Sequence, residues 1–428
     1  MECSQEADPP GALPADVPAA RLARRNYLAY ALEGIFFMCG TAFVDVQTLM
    51  PPVVQSLGGP TWLISLMPTL AQVASPLPML MVLPIVSRLT RYAPYVRATM
   101  LVQRLPYLLA GLGLLAASVS PGLALVAVAL APLLAGIGGG LCGVAWSNLM
   151  YITIPPNRRT SLMAVRAGVS AVLGIGVGVL IRLILDAWPG TDGYAVLHFL
   201  AFASVTVSLG WYLLARDPPN PPPHVAIEPG LHAVALMWGR LVHDRRLRIY
   251  LVSRILQTGV YVLIPFLSIY TLATLEQPQS YLGHLLILQT IGAVLGNVVT
   301  GYVGDRIGTK VTTLFGMTAF IGLSVWSTLA ATSAEFSAIF FLLGFGLPSL
   351  WVSSLTLGME MAPQQHRSVY MGLMSLVNLP ALLLASTLSG LLWWAFGSIL
   401  PLAVVSVTMV AAAMVVLYKV PDPRKVAA

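Results

Sequence analysis

Five ionisable residues lie well inside long apolar stretches of this chain: Glu33, Asp45, Arg104, Arg182 and Arg254. An ionisable group at membrane depth is costly and by default marks a proton, ion or substrate site. At about 1.5 Å of helix rise per residue, Glu33, Arg104 and Arg254 share one depth, and Asp45 and Arg182 share another. We therefore expect Glu33 to pair with Arg104 or Arg254, and Asp45 with Arg182. The alternatives are structural ion pairs, snorkelling of the arginines, and a local pair of Arg182 with Asp186 four residues on.

Aromatic and amide side chains accompany these charges on the same stretches. Ring faces with a few hydrogen-bonding groups suit a small organic molecule, although such rings also serve in packing and at the lipid belt. The candidates for binding substrate or protons are Glu33, Asp45, Gln47, Trp146, Asn148, Arg254, Gln257, Tyr261 and Trp351. We expect His198 and His284 to be peripheral and structural.

The elements that position these residues are predicted to be membrane-spanning helices. Hydrophobic residues make up 57% of the chain and charged residues only 9%, against about a quarter in soluble domains. Mean hydropathy is +0.83. Twelve stretches reach the length of about 20 residues that a spanning helix needs. They cover about 27–54, 62–86, 98–118, 122–150, 164–186, 195–215, 249–274, 281–303, 311–331, 336–358, 369–395 and 398–419.

The basic residues predict the orientation. The loops after the odd-numbered spans contain no Lys or Arg, whereas the tails and the other loops are rich in Arg. Because a Lys/Arg excess marks the cytoplasmic side, we expect both termini to be cytoplasmic and the protein to be multi-pass in the cell inner (cytoplasmic) membrane. The net charge of +7 follows from this asymmetry. Scattered arginines do not predict nucleic-acid binding.

The second half of the chain repeats landmarks of the first. Gly136, Gly138, Pro155, Arg159, Thr160 and Met163 recur 208 positions later as Gly344, Gly346, Pro363, Arg367, Ser368 and Met371. The predicted fold is therefore an all-α membrane protein of two pseudo-symmetric six-helix bundles, residues 26–215 and 249–419. Parallel halves of this kind are a transporter plan with the substrate site between them.

Three further segments complete the predicted organisation. Residues 1–25 form a cytoplasmic tail that we expect to be disordered, and residues 420–428 form a second tail. Residues 216–248 form a cytoplasmic linker. Within the linker, apolar residues recur at helical spacing over 231–243 with arginines among and after them. This pattern predicts an amphipathic helix on the membrane surface, and a plain linker is the alternative.

A motif between spans 8 and 9 carries a family resemblance. Gly301, Asp305, Arg306, Gly308 and Lys310 follow the pattern Gly, three residues, Asp-Arg, one residue, Gly, one residue, a basic residue. This resembles the signature of the major facilitator superfamily. Independently of the name, Gly301 permits close approach of a neighbouring helix and Gly308 permits a tight turn.

Glu360 and Arg367 extend the resemblance. Sugar-porter-like members of the superfamily carry a Glu and an Arg at this spacing, and these join the Asp-Arg pair in a network that holds the cytoplasmic gate shut. The first half keeps the arginines, Arg88 and Arg159, but has Ser87 and Ile152 in place of the acids. We therefore expect the second half to carry the lock. Arg88 and Arg159 would meet lipid phosphate, backbone carbonyls or partners in the other half.

The functional hypothesis is a secondary active transporter that moves a small organic solute by alternating access, with proton coupling left open. The resemblance implies that spans 1, 4, 7 and 10 line the cavity. A proton-coupled drug or metabolite exporter is one alternative, disfavoured because Pro132 replaces the Arg of the drug/proton antiporter pattern in span 4. A non-transporting membrane receptor or assembly factor is the other. No catalytic, nucleotide-binding or metal motif is present, so we expect no enzyme activity and no cofactor. The expected partners are the solute, protons if coupled, and membrane lipids around a monomer.

Overall fold

The structure, a computed structural model, describes residues 17–218, 239, 244–361 and 367–420. Within these ranges the chain forms helices joined by short turns, and no strand is present. The helices are α1 (Val17–Ala42), α2 (Met50–Ser56), α3 (Thr61–Leu66), α4 (Leu70–Ala74), α5 (Pro76–Val86), α6 (Tyr92–Leu115), α7 (Pro121–Thr153), α8 (Pro156–Ala187), α9 (Thr191–Tyr212), α10 (Arg245–Gln257), α11 (Val260–Thr274), α12 (Tyr281–Arg306), α13 (Thr309–Ser327), α14 (Ser333–Met361), α15 (Arg367–Phe396) and α16 (Ile399–Tyr418). The predicted all-α fold is confirmed.

Each of the twelve predicted spans coincides with helix. Nine helical segments of the described chain are long and apolar enough to cross a membrane by length and composition. The other three predicted spans coincide with α1, with the run α3–α5, and with α13, which are shorter or less apolar. The chain is thus a multi-pass membrane protein, and the helix count is consistent with twelve spans.

The first predicted span is broken rather than continuous. Helix α1 ends at Ala42 and α2 begins only at Met50. Pro51 and Pro52 occupy the first turn of α2, where proline is tolerated because its missing N–H would have no partner there. Asp45 lies in the break and accepts hydrogen bonds from the backbone N–H groups of Gln47 (3.1 Å) and Thr48 (2.7 Å).

Spans 2 and 7 are also interrupted. Pro68 lies between α3 and α4, and Pro76 begins α5, so proline divides span 2 into three short helices. Span 7 breaks at Thr258 and Gly259. Gly259 lies against Met409 of α16 so closely that a Cβ would be 2.5 Å from the Met409 Cβ. The broken helices α2, α4 and α11 lie next to the interface between the halves.

The internal repeat corresponds to a repeated packing contact. A side chain at Gly136 of α7 would overlap the backbone of Ala71 in α4, and one at Gly344 of α14 would overlap the backbone of Gln289 in α12. Only glycine permits such an approach of two helices. The two halves then meet along α8 with α12 and along α3 with α15.

One end of the bundle, here called the terminal end, carries the start of α1 and the end of α16. Arg25 Nε donates to Leu214 O just after α9, and Lys310 Nζ donates to Tyr418 O and Val420 O. The opposite end, here called the far end, carries the turns at Gly58, Gly190 and Gly397, all with positive φ. The predicted linker helix lies outside the described residues, apart from Gly239, and so do both predicted tails except the start of α1 and Val420.

Candidate functional site

A cavity of about 1010 Å³ lies between the two halves. Helices α1, α4, α6, α7, α8 and α9 of the first half line most of it, and α12 of the second half lines the rest. The wall is mainly apolar, with the polar side chains Asp45, Gln72, Gln103, Tyr107, His198, Gln289 and Asn297 among it. A few polar groups on an apolar wall at this size are typical of a site for a small organic molecule.

The cavity opens at the terminal end. Towards the far end, α8 and α12 touch backbone to backbone: a Cβ on Gly283 would lie 2.4 Å from Gly178 O. Towards the terminal end, Gly168 of α8 and Gly301 of α12 both line the cavity and have no atom within 4 Å of an added Cβ. The two helices therefore diverge. The expected close helix approach at Gly301 is wrong for this conformation, because Gly301 faces the opening.

The far side of the cavity is closed by contacts between the halves. Tyr261 and Gln72 bond to each other at 2.9 Å, Thr69 Oγ1 bonds to Ser386 Oγ at 2.9 Å, and Gln289 Nε2 donates to Gln47 Oε1 at 3.3 Å. Thr48 Oγ1 also donates to Gln289 Oε1. Beyond them Gly390 of α15 packs directly on Ser65 and the backbone of Trp62.

A buried ion-pair cluster lies in the first half. Arg166 Nη1 donates to Glu33 Oε2 at 2.9 Å, and Arg104 Nη2 lies 3.6 Å from Glu33 Oε1. Glu33 is 4% exposed and Arg104 1%. Two partners were expected for Glu33. Arg104 lies beside it and Arg254 does not, and Arg166 is a further partner that was not predicted. Two guanidinium groups around one carboxylate leave a net positive charge inside the membrane segment.

The cluster joins four helices of the first half. Arg104 Nε donates to Val205 O and its Nη2 to Ser208 Oγ, both on α9. Arg166 of α8 also donates to Tyr30 O of α1 and lies 4.9 Å above the Trp146 ring. Room for the Arg166 guanidinium exists only because Gly34 has no side chain: a Cβ there would lie 2.2 Å from Arg166 Cζ. The cluster thus holds α1, α6, α8 and α9 in register.

Asp45 and Arg182 do not pair. Asp45 lines the large cavity and is satisfied by the backbone at the start of α2. Arg182 Nε lies 4.0 Å from Asp186 Oδ2, and both side chains are more than half exposed. The expected Asp45–Arg182 pair is therefore wrong, and the local pair one helix turn apart takes its place.

Four predicted site residues of the second half gather around a cavity of about 30 Å³. Arg254, Gln257, Tyr261 and Trp351 line it, together with Asn378 of α15. The Arg254 guanidinium lies 5.8 Å from the Trp351 ring centroid. Gln257 Oε1 accepts a hydrogen bond from Ser354 Oγ at 2.9 Å. Of the remaining candidates, Gln47 bonds to Gln289, and Asn148 is half-buried and lines neither cavity.

The signature residues lie together at the terminal end of the second half. Gly308 has a φ of +118° immediately before α13, which is the geometry the expected turn requires. Thr309 Oγ1 donates to Glu360 Oε2 at 2.8 Å, and Arg306 lies 4.2 Å above the Tyr302 ring. Asp305 directly precedes Arg306, the last residue of α12. The side chain of Arg367 lies outside the described part of the structure. Whether these residues lock the gate stays a prediction.

The corresponding arginines of the first half lie in different surroundings. Arg159 donates to Ile154 O at 3.0 Å and to Tyr151 O at 2.5 Å, so it binds backbone carbonyls at the end of α7. Arg88 is exposed after the end of α5. Backbone carbonyls were one of the three alternatives expected for these arginines.

Sequence reasoning missed several residues of the site. Arg166 was not predicted as a site residue, although it lies at the start of predicted span 5 and reaches Glu33. His198 was expected to be peripheral, and this is wrong: it is fully buried and lines the large cavity. Its Nδ1 bonds to Tyr194 O at 2.8 Å. The sequence does not predict a role for three amide residues, because a single amide side chain in an apolar span belongs to no recognisable motif. These residues are Gln72, Gln289 and Asn378.

Comparison with known proteins agrees with this geometry. Residues 249–428 match the family model of the Major Facilitator Superfamily, and no curated protein matches the sequence. A crystal structure of the nucleoside transporter NupG superposes with a TM-score of 0.70 at 14% identity, covering 91% of this chain and 99% of that one. A POT family transporter in complex with a thioalcohol-conjugated peptide gives 0.68 at 12% identity, covering 92% and 94%. A D-xylose-proton symporter gives 0.66 at 16% identity, covering 94% and 99%.

Proposed function

We propose that the chain is a member of the major facilitator superfamily and a secondary transporter for a small organic solute, supported by the match of residues 249–428 to the family model and by the fold of both halves. The observation that carries this proposal is the cavity between the halves. It is large enough for a solute, open at the terminal end and sealed at the far end by contacts that join side chains of opposite halves. A cavity closed at one end only is the arrangement that alternating access requires.

During the transport cycle, the far end would open and the terminal end would close. The far end is closed by a few hydrogen bonds and glycine contacts, and also by buried apolar side chains of both halves that belong to one core cluster. Each net hydrogen bond is worth only about 0.5–1.5 kcal/mol, but opening the far end also exposes apolar surface, which solute binding or the contacts of the other conformation must offset. The opposite movement would close the terminal end, where the signature residues of the second half lie.

The orientation follows from charge. If the Lys/Arg-rich terminal end faces the cytoplasm of an inner membrane, the described conformation is open to the cytoplasm. The signature residues then lie at the cytoplasmic mouth, where they can form a lock when the cavity closes.

Protons are the coupling ion we propose, with Asp45 and Glu33 as the candidate carriers. Asp45 lines the cavity, so a proton or solute can reach it directly. Glu33 lies behind the cavity wall between two arginines. The D-xylose-proton symporter shows that proton coupling occurs on this fold, and the different solutes of the structural neighbours show that the fold alone does not select a substrate.

Flux into liposomes tests the proposal. Vesicles that contain the purified protein are loaded with a mixture of sugars, nucleosides and organic acids. The efflux of each solute is followed with and without an imposed pH step. Flux of at least one solute, saturable and absent from protein-free vesicles, supports transport. Solute binding with no flux under any gradient would indicate a receptor on the same fold instead of a transporter. Solute flux that is only outward, in exchange for protons moving inward, would indicate an exporter.

A further inference from the structure

The small cavity of the second half contains an arginine that differs from the other arginines inside the spans. Arg104 and Arg166 lie against Glu33, and Arg182 against Asp186. Arg254 has no carboxylate within 4.0 Å among residues 17–218, 239, 244–361 and 367–420. Its contact is the Trp351 ring at 5.8 Å. A ring face offsets only part of the free-energy cost of a cation without a carboxylate partner inside a membrane protein. An anion bound beside Arg254 would offset the rest.

A second group at the same place also lacks a partner. Asn378 lines the small cavity, is 8% exposed, and its Oδ1 makes no hydrogen bond in the described part of the chain. A buried amide oxygen without a donor destabilises the folded protein. A ligand that brings an N–H or O–H group would satisfy it. The site therefore offers a positive charge and, beside it, a hydrogen-bond acceptor.

The small cavity adjoins the large one. Tyr261 lines the small cavity, Gln72 lines the large cavity, and the two side chains are hydrogen-bonded to each other across the halves. With about 30 Å³ of space, the small cavity holds one water-sized group. Arg254 is half-buried at its edge. A ligand can thus place a small donor group beside Asn378, an anionic group on Arg254, and its remaining atoms in the large cavity.

We propose that Arg254 and Asn378 form a subsite for the carboxylate and the adjacent hydroxyl or amino group of a small organic acid. The planar carboxylate accepts two hydrogen bonds from the guanidinium, and the neighbouring group donates to Asn378 Oδ1. This subsite rests on the proposed function for its place in a transport pathway. It makes the transported solute a hydroxy or amino acid rather than a neutral sugar or nucleoside.

Charged thiol reagents test the subsite without any transport. Leu355 is 45% exposed and lies one helix turn from Trp351 on the same face. Leu355→Cys is made in a chain whose three native cysteines are replaced. Labelling rates by the anionic methanethiosulfonate ethylsulfonate and the cationic ethyltrimethylammonium reagent are compared in detergent. We expect the anionic-to-cationic rate ratio to fall about tenfold in Arg254→Gln, because a focused positive field raises the local anion concentration, and to stay unchanged in Arg182→Gln.

Protection assays then test the carboxylate and the donor. At constant ionic strength, lactate should slow labelling, while lactamide and inorganic phosphate should not. Asn378→Ala should weaken lactate protection but leave the reagent ratio as it was. An unchanged ratio in Arg254→Gln overturns the anion site, and equal protection by lactamide, or none by lactate up to 100 mM, overturns the assignment of the carboxylate-plus-donor headgroup.

A folding control and a flux control keep the result readable. Each variant is compared with the wild type by gel filtration. If Arg254→Gln aggregates, Arg254→Lys, which keeps the charge, replaces it. Arg254→Lys should keep the labelling-rate ratio but lose protection by lactate. Because labelling needs no gradient, a protein that shows the anion preference but no flux would count against transport and not against the subsite.

Discussion

At the scale of single residues, the first half depends on a charge cluster made possible by one glycine. Arg166 can reach Glu33 only across the space above Gly34. The cluster is buried, so removing Glu33 leaves two arginines without their carboxylate, which costs far more than losing a surface pair. Asp45 is different, because backbone N–H groups satisfy it and it faces the cavity.

The first prediction is that Gly34→Ala destabilises the protein. Its new Cβ would overlap the Arg166 guanidinium, which must move and lengthen its bond to Glu33. We expect a loss of roughly 1.5–3 kcal/mol, the worth of a hydrogen bond to a charged group, seen as a lower thermal unfolding temperature in detergent. Gly143→Ala is the control, because nothing lies within 4 Å of its Cβ and alanine favours helix. Equal unfolding temperatures for both variants would show that Arg166 is not held by this contact.

The second prediction concerns the two acids. We expect at least one of Glu33→Gln and Asp45→Asn to abolish solute accumulation driven by a pH step, because both acids are on the cavity-lining span. Accumulation and solute exchange are measured for each variant in liposomes. A variant that keeps exchange but loses accumulation identifies the coupling residue. Wild-type accumulation and pH dependence in both variants would refute a proton role for these acids.

At the scale of helices, α8 and α12 form a backbone-to-backbone contact between the halves. Gly178 and Gly283 let the two backbones touch towards the far end, and the helices separate towards Gly168 and Gly301. Small residues let helix backbones approach closely, and we expect the halves to rotate on each other at this contact. The turn from α12 to α13 carries the signature residues at the other end of the same helix.

The third prediction is that Gly283→Ala disfavours the described conformation. Its Cβ would lie 2.4 Å from Gly178 O and 2.7 Å from Arg182 N, and backbone atoms cannot move aside as a side chain can. We expect at least a several-fold loss of flux and increased thiol accessibility at the far end. Gly176→Ala on α8, with open space around it, should behave as wild type. If both variants transport alike, the α8–α12 contact is not needed.

The fourth prediction concerns the gate. If Asp305, Arg306, Glu360 and Arg367 lock the terminal end, then Asp305→Asn or Glu360→Gln should favour the conformation open at that end. Thiol accessibility at the terminal ends of α7 and α14 would rise by several fold in vesicles. Ser87→Ala serves as the matched change in the first half, where the acid is absent, and should have little effect. Unchanged accessibility in both acid variants would remove the lock hypothesis.

At the scale of the whole molecule, the proposed transport cycle requires the far end to open. Gly390 of α15 and Ser65 of α3 belong to opposite halves, and a Cβ at Gly390 would lie 2.8 Å from Ser65 Oγ. We expect this proximity only in the conformation closed at the far end. A covalent link there would hold the halves in one state.

The fifth prediction is that Ser65→Cys with Gly390→Cys forms a disulfide that stops transport. The two positions are close enough for the Cβ separation of about 3.5–4.5 Å that a disulfide takes. Oxidation should reduce flux at least tenfold and reduction should restore it, with each single variant unaffected by oxidant. A cross-linked protein that still transports at the wild-type rate would show that the far end does not open during the cycle.

The sequence alone determined the class of this protein and its division into two halves. Apolar stretches of spanning length, the one-sided distribution of Arg and the repeated landmarks are properties of the chain in order, because a membrane forces each span to satisfy its own backbone. The same reasoning found the charged residues at depth. It also placed the Arg182–Asp186 alternative correctly, since partners four residues apart in a helix are fixed by the sequence.

Partners distant in sequence were decided only by the tertiary structure. Helix depth predicts which charges lie at one level, but the rotation of each helix decides which of them meet. Glu33 therefore meets Arg104 and Arg166 rather than Arg254. The break at Asp45, the burial of His198 and the unpaired oxygen of Asn378 depend on packing between helices far apart in the chain. Which end of the cavity is open also depends on the arrangement of the halves, because side chains far apart in the chain close the far end.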